Sequence, residues 1–109
     1  LKTVIDFRGQ RKLLRELAYV ISKAQFVFCL EGLLNHMASS VNTKSIVIFS
    51  GFHPIEIAKY ETTLAIVKNP QVNCAPCWLL HKCPKEHKWC TDGISVSQVV
   101  DTLKNSLNI

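Results

Sequence analysis

Residues 26–41 read FVFCLEGLLNHMASSV, and they constrain the fold most because a strand candidate runs straight into a helix candidate. The uninterrupted apolar run at 26–29 is typical of a parallel strand that is covered on both faces. Gly32 marks the turn that follows. The next apolar positions recur at helical spacing and share one face, namely Leu33, Leu34, Met37, Ala38 and Val41. The opposite face, which we predict to be solvated, carries Asn35, His36 and Ser39.

Glu31 and Gly32 stand at the junction between this strand and this helix. In open parallel sheets, ligands bind beyond the carboxyl ends of the strands, where helix N-termini present unpaired N–H groups to anions. A junction of this kind with His36 one turn into the helix predicts a phosphate or sugar-phosphate site. Alternatively, the junction binds no ligand and only connects the strand to the helix. Glu31 is then a first-turn carboxylate favoured by the helix dipole, and His36 is a solvated side chain.

The remaining periodic segments predict an alternating order of strands and helices. We expect strands at residues 3–7, 45–50 and 63–67, an amphipathic helix at 10–23, a short helix at 54–60 and a C-terminal amphipathic helix. Ser95 and Gln98 form a capping box at the start of that last helix. Crossovers of this length favour parallel pairing and right-handed connections. The loop at 51–54 should therefore open onto the same sheet edge as Glu31.

The length and net charge of the chain limit the kinds of protein and partner that are compatible with the sequence. The 109 residues, 48% of them hydrophobic, predict one folded domain over residues 1–109. We find neither an apolar run of membrane-spanning length nor a signal peptide. The net charge of +5 suits nucleic acids, anionic lipid headgroups or phosphorylated small molecules as partners. Nucleic acid is disfavoured because no stacking aromatics are interleaved with the basic residues.

A cysteine-rich insert at residues 70–93 interrupts the regular pattern. Its four cysteines follow the spacing C-x2-C-x5-C-x6-C, and they are Cys74, Cys77, Cys83 and Cys90. Four thiolates can complete a tetrahedral zinc site, with His81 and His87 as reserve ligands. Disulfides in one of three pairings, or reduced cysteines that serve as small hydrophobic residues, are the alternatives. The fifth cysteine, Cys29, falls on a buried strand and is predicted to be inert.

Three stretches together resemble the C-terminal part of family 9 glycosyltransferases, the bacterial heptosyltransferases of lipopolysaccharide core synthesis. The first runs from residue 13 to residue 51 and contains the helix opening L-x-E-L-A and the acidic-Gly-x-x-x-His junction. The second is the cluster C-x-P-C-x5-C-P with His87 and Cys90, and the third is Ile94-Ser95. The likeness covers nearly the whole chain.

The resemblance implies a GT-B enzyme with two Rossmann-like domains, of which this chain would be the C-terminal portion. Its fold would be a partial Rossmann-like, three-layer α/β sandwich with a parallel sheet and a cysteine-rich loop. Carried over from the family, Glu31 would face the sugar or phosphate of a nucleotide-sugar donor, and ADP-heptose is the donor we expect. The backbone of Gly32, Leu33 and Leu34 would cradle phosphate, and His36 would add a hydrogen bond. Transfer would invert the sugar and need no metal, so zinc would be structural only.

Two departures from the family pattern stand at the junction. Leu30 replaces a residue that is often small and polar or an Asn, and Leu33 replaces a second Gly, so a bulky side chain would crowd a phosphate there. The chain also corresponds to about a third of a family member, without the acceptor domain and its catalytic base. We therefore expect a donor-binding part that is inactive alone, in the cytoplasm or at the inner face of the inner membrane. The alternative is a non-catalytic binding or structural module on the same fold, zinc-stabilised and homodimeric through an exposed edge strand.

Overall fold

The chain folds into an open parallel sheet with helices on both faces. A computed structural model describes residues 3–10, 12–69, 72–78, 83, 86 and 89–108. Its strands are β1 (Phe26–Leu30), β2 (Lys44–Ile48) and β3 (Thr63–Val67). Its helices are α1 (Leu14–Ser22), α2 (Leu33–Ser40), α3 (Trp89–Asp92) and α4 (Val96–Leu107), with a 3₁₀ turn at Ile55–Ile57.

The sheet has the order β1-β2-β3 and all of its described pairs are parallel. Cys29 lies opposite Val47, and Ser45 lies opposite Thr63, with an irregular step in the register between Ser45 and Ile46. The central strand β2 is the most deeply buried, as a continuous apolar run predicts for a strand covered on both faces. The predicted parallel α/β architecture is confirmed.

The two faces of the sheet carry different layers. Ser45 Oγ donates to Asn35 Oδ1 (3.3 Å), which places α2 on the face that Ser45 shares with Val47. That face holds the main apolar cluster: Val27, Cys29, Val47, Phe49, Ile55, Ala58 and Ile66. Phe28 and Ile48 point to the other face, where they line a depression with Val96 and Val99 at the start of α4. Helix, sheet and helix therefore form three layers.

The buried side of α2 differs from the one that its apolar periodicity predicts. Leu33 and Leu34 are exposed, whereas Asn35 is 0% exposed and Ala38 is buried. Asn35 Nδ2 donates to the carbonyl oxygen of Ala58 at 2.7 Å. A polar side chain is stable at this position because it satisfies the backbone of the segment that leads from β2 to β3. The prediction of Asn35 on a solvated face was wrong.

The N-terminal segment also departs from the prediction. The described residues 3–7 are exposed and form no strand, and α1 begins at Leu14 rather than at residue 10. A turn closed by Gln10 N donating to Phe7 O occupies the interval. The Arg8 guanidinium hydrogen-bonds Asp6 and lowers the pKa of that carboxyl group, although both side chains are solvent-exposed. A short apolar run is thus insufficient for a strand where no described strand pairs with it.

The C-terminal helix begins at the predicted N-cap, Ser95, but only half of the predicted capping box forms. Ser95 Oγ accepts a hydrogen bond from Gln98 N at 3.1 Å. The Gln98 side chain reaches away from the cap and donates to Lys68 O at 2.8 Å, so it ties α4 to the end of β3. The helix predicted at 54–60 is reduced to the 3₁₀ turn, which Pro54 precedes.

We predict that Asn35→Ala destabilises the protein by about 1–3 kcal/mol, because the Ala58 carbonyl and the Ser45 hydroxyl would lose a buried partner. The free energy of unfolding, measured by urea titration, checks this. Asn105→Ala is the matched control, since Asn105 lies at an exposed position of α4 and the same change of helix propensity applies. Equal effects of the two substitutions would contradict a structural role for the Asn35 hydrogen bonds.

Candidate functional site

The carboxyl ends of β1 and β2 are joined through Glu31 and Ser50. Glu31 Oε1 accepts from Ser50 Oγ at 2.7 Å and from Ser50 N at 3.2 Å. Ser50 Oγ in turn accepts from Phe52 N at 3.3 Å. The loop after β2 therefore opens onto the same edge as Glu31, as predicted. These bonds fix the carboxylate of Glu31, which is only half-buried, against the neighbouring loop.

Open space lies beside the N-terminus of α2. A Cβ atom built on Gly32 would meet no atom within 4 Å. Gly32 is the N-cap in an extended conformation, and its carbonyl oxygen accepts from Asn35 N at 3.1 Å. Among the described residues, the backbone amides of Leu33 and Leu34 have no hydrogen-bond partner, as is usual in the first turn of a helix. The side chain of Leu33 is 56% exposed at the same edge.

His36 is held by a partner that the sequence did not indicate. Its Nδ1 lies 2.5 Å from the hydroxyl oxygen of Tyr60, and the two rings meet edge to face at 5.6 Å between centroids. Tyr60 also lines a polar depression with Ser39 and Lys44, which lie near the amino ends of the strands. Glu31 and His36 are thus bound to different parts of the loop that follows β2. No contact between their side chains occurs in the described part of the chain.

A cluster of aromatic rings covers the end of β2. His53 is its centre, with ring centroids 5.8 Å from Phe49, 5.6 Å from Phe52 and 6.3 Å from Trp78. Phe52 and Trp78 meet at 5.7 Å. His53 Nδ1 lies 3.1 Å from the Pro54 carbonyl oxygen, which can only accept, so Nδ1 carries the proton. The sequence signal for this cluster was the density of aromatic residues directly after β2.

The cysteine-rich segment is anchored on the same loop. Cys77 N donates to Gly51 O at 2.9 Å, and Trp78 N donates to Phe52 O at 2.7 Å. A Cβ atom on Gly51 would approach the Cβ atoms of Ala75 and Cys90 to 3.1 Å each. A side chain at Gly51 would therefore be crowded, and Ala75 and Cys90, from the two parts of the insert, pack against this glycine.

The four clustered cysteines lie near the surface. Cys74 is exposed, while Cys77, Cys83 and Cys90 are half-buried, and none of them is in a disulfide bond. Among the described residues, no group of three or more His, Cys, Asp or Glu side chains is arranged to hold a metal ion. The reserve ligands His81 and His87 lie outside the described residues. The zinc site stays a prediction.

Cys29 differs from the other cysteines. It is 8% exposed within the apolar cluster, and burial raises the pKa of its thiol. A raised pKa lowers the thiolate fraction at neutral pH, and the thiolate is the reactive form. The predicted burial of Cys29 is confirmed.

An open parallel sheet whose strand ends carry loops and a helix N-terminus defines the Rossmann-like α/β class. A family model described as glycosyltransferase family 9 (heptosyltransferase) matches residues 11–89, which include β1, β2, β3 and the cysteine-rich insert as far as residue 89. The chain belongs to glycosyltransferase family 9. Neither the curated proteins nor the solved structures contain a match to it. Within the part of the chain that the structure describes, no helix has the length and apolar character needed to cross a membrane.

We predict that N-ethylmaleimide labels Cys29 at least about tenfold more slowly than Cys74 in the native protein, because Cys29 is buried and its thiol pKa is raised. Peptide mass spectrometry after timed labelling measures each rate. In concentrated urea the two rates should converge, which controls for differences between the peptides. Native labelling of both cysteines at one rate would contradict the burial of Cys29.

The zinc prediction is tested with the same labelling. If Cys74, Cys77, Cys83 and Cys90 bind zinc, the purified protein carries about one equivalent, and a chelator that removes it accelerates labelling of these four thiols. Cys77→Ser should then lower the zinc content, whereas Cys29→Ser should leave it unchanged. Metal-free protein that shows no change in labelling on addition of zinc would rule the site out.

Proposed function

We propose that this chain is the donor-binding part of a family 9 glycosyltransferase and holds a nucleotide-sugar, with ADP-heptose as the expected donor. The observation that carries this proposal is the junction of β1 and α2. There, a carboxylate fixed by Ser50 stands beside the open N-terminus of a helix. Membership of the family supplies the reaction type, transfer of a sugar from a nucleotide donor.

The donor diphosphate is proposed to lie at the N-terminus of α2. The unpaired amides of Leu33 and Leu34, together with the positive end of the helix dipole, stabilise an anion at this position. Apart from its chain neighbours, no atom lies within 4 Å of the Cβ position of Gly32, and the Leu33 side chain, which would crowd a phosphate, is 56% exposed and must turn away from the anion. As the sugar departs, negative charge builds on the diphosphate, and the same amides would stabilise it without a metal ion.

Glu31 is better suited to a sugar hydroxyl than to a phosphate. An ionised carboxylate and a phosphate oxygen are both acceptors, and two negative groups in contact repel each other. A hydroxyl group can donate to the carboxylate instead. The hydrogen bonds from Ser50 occupy Oε1, so Oε2 is the oxygen we assign to the donor.

His36 is proposed to bind the donor through its ring, while Tyr60 orients that ring. We assign no catalytic base to this chain. The acceptor, proposed to be the lipopolysaccharide core, would be bound by a further domain, and these 109 residues are proposed to be inactive alone.

We predict that ADP and ADP-glucose cause saturable shifts of the Gly32, Leu33 and Leu34 amides in NMR spectra of the labelled protein. Glu31→Gln should weaken ADP-glucose binding by about tenfold or more, since a hydrogen bond to a charged group contributes about 1.5–3 kcal/mol. ADP itself should bind with little change, because Glu31 is assigned to the sugar.

Glu56→Gln makes the matched control, because it removes one exposed carboxylate from the 3₁₀ turn and should leave both affinities unaltered. An unchanged spectrum of the folded protein with both ligands would refute donor binding by this chain.

A second candidate function, a non-catalytic module that dimerises, is favoured by the edge of β1. No described strand pairs with the outer side of β1, and Leu30 and Phe28 on this strand are 65% and 42% exposed. An unpaired edge with apolar side chains is a pairing surface for a second strand. A dimer in light scattering, combined with absence of nucleotide binding, would support this candidate over the first.

A further inference from the structure

Trp78 is an exposed aromatic side chain whose backbone is firmly held. Its amide donates to Phe52 O at 2.7 Å, and the preceding amide, of Cys77, donates to Gly51 O at 2.9 Å. Trp78 has a φ of 57°, a left-handed conformation that is uncommon for a bulky residue. The indole nevertheless remains 55% exposed. The chain thus holds a large apolar ring at the surface, where burial gives it little stabilisation.

The position of Trp78 connects it to the carboxyl edge of the sheet. Phe52 and His53 contact its ring, and Phe52 N is hydrogen-bonded to Ser50, which binds Glu31. Every step in this series is a direct contact. The indole is therefore linked to the carboxylate through the loop at 50–53.

The exposed indole and the carboxylate are groups that can bind a sugar ring. One face of a pyranose presents C–H groups with partial positive charge, which are attracted to the negative face of an aromatic ring. Its hydroxyl groups need acceptors at the rim. Glu31 is one such acceptor, because its Oε2 is not used by Ser50.

We propose that Trp78, whose ring is contacted by Phe52 and His53, forms a stacking platform for a sugar ring at the carboxyl edge of the sheet. The sugar can come from the donor or from the acceptor saccharide, since both present the same ring chemistry. The proposal rests on the proposed function for the identity of the donor, but the stacking itself does not require a nucleotide.

The test uses the indole N–H signals of the two tryptophans in ¹⁵N-labelled protein, assigned with Trp78→Phe and Trp89→Phe. Three probes are titrated: ADP, ADP-glucose and methyl α-D-mannopyranoside. A shift of the Trp78 signal with ADP-glucose but not with ADP identifies the donor sugar as the stacked ring. A shift with the mannoside alone identifies a saccharide without nucleotide.

Substitution measures the strength of the contact. Trp78→Ala should weaken binding of the sugar-bearing probe by about three- to tenfold, the range expected for one aromatic contact, and should leave the affinity for ADP unchanged. Trp89→Ala is the matched control, because Trp89 is also 55% exposed. It should alter neither affinity.

The outcomes separate this proposal from the donor-site proposal. If ADP and ADP-glucose shift the Gly32 amide signal but no probe shifts the Trp78 indole signal, the stacking platform is refuted. The donor-site proposal is then still supported. A Trp78 signal that responds to the mannoside, when neither ADP nor ADP-glucose causes a shift, would support the platform and refute the donor site. No response to any probe would refute both.

Discussion

The architecture depends on the burial of β2 from both sides. Ile46 and Val47 are 0% exposed although they point to opposite faces of the sheet, so each face must be covered by another layer. On one face α2 and the segment after the 3₁₀ turn supply the cover, and on the other face α4 contributes to it. Since β2 lies between β1 and β3, its parallel pairing also fixes where both neighbouring strands end. Glu31 and Ser50 meet at one edge for this reason.

Prediction from sequence succeeded where a residue pattern and a physical requirement coincide. The apolar runs at β1 and β2 could be read as parallel strands from their strand length and the turn signals around them. Cover on both faces was predicted correctly for β2 but not for β1, where Phe28 and Leu30 are exposed on one face. The N-cap at Ser95 could be predicted because its hydrogen bond joins residues that are close in the sequence. The parallel order then followed from the lengths of the crossovers, and with it the shared edge of Glu31 and the loop after β2.

Prediction failed where a contact joins residues that are distant in the sequence. Hydropathy assigned Asn35 to the solvated side of α2, but its partner is the Ala58 carbonyl, 23 residues away, and no local signal points to that bond. Burial of Asn35 rotates the helix so that Leu33 and Leu34 are left exposed at the candidate site. The partner of His36, Tyr60, was missed for the same reason. The aromatic cluster around His53 includes Trp78, which lies in the insert and meets the loop through a backbone hydrogen bond and ring contacts that no local signal indicates.

Because of these long-range contacts, the proposed phosphate-binding part and the proposed sugar-binding part of the site are held in place by different segments of the chain. The helix N-terminus, proposed for the diphosphate, is held by the packing of α2 on the sheet through Asn35. The carboxylate and the indole, proposed for sugars, are held by the loop at 50–53 and by the segment that contains Cys77. Because Gly51 packs closely on Ala75 and Cys90, disturbance of the cysteine-rich segment should affect the sugar side and spare the phosphate side. The cysteines would then influence function through the position of Trp78, without taking part in the transfer chemistry.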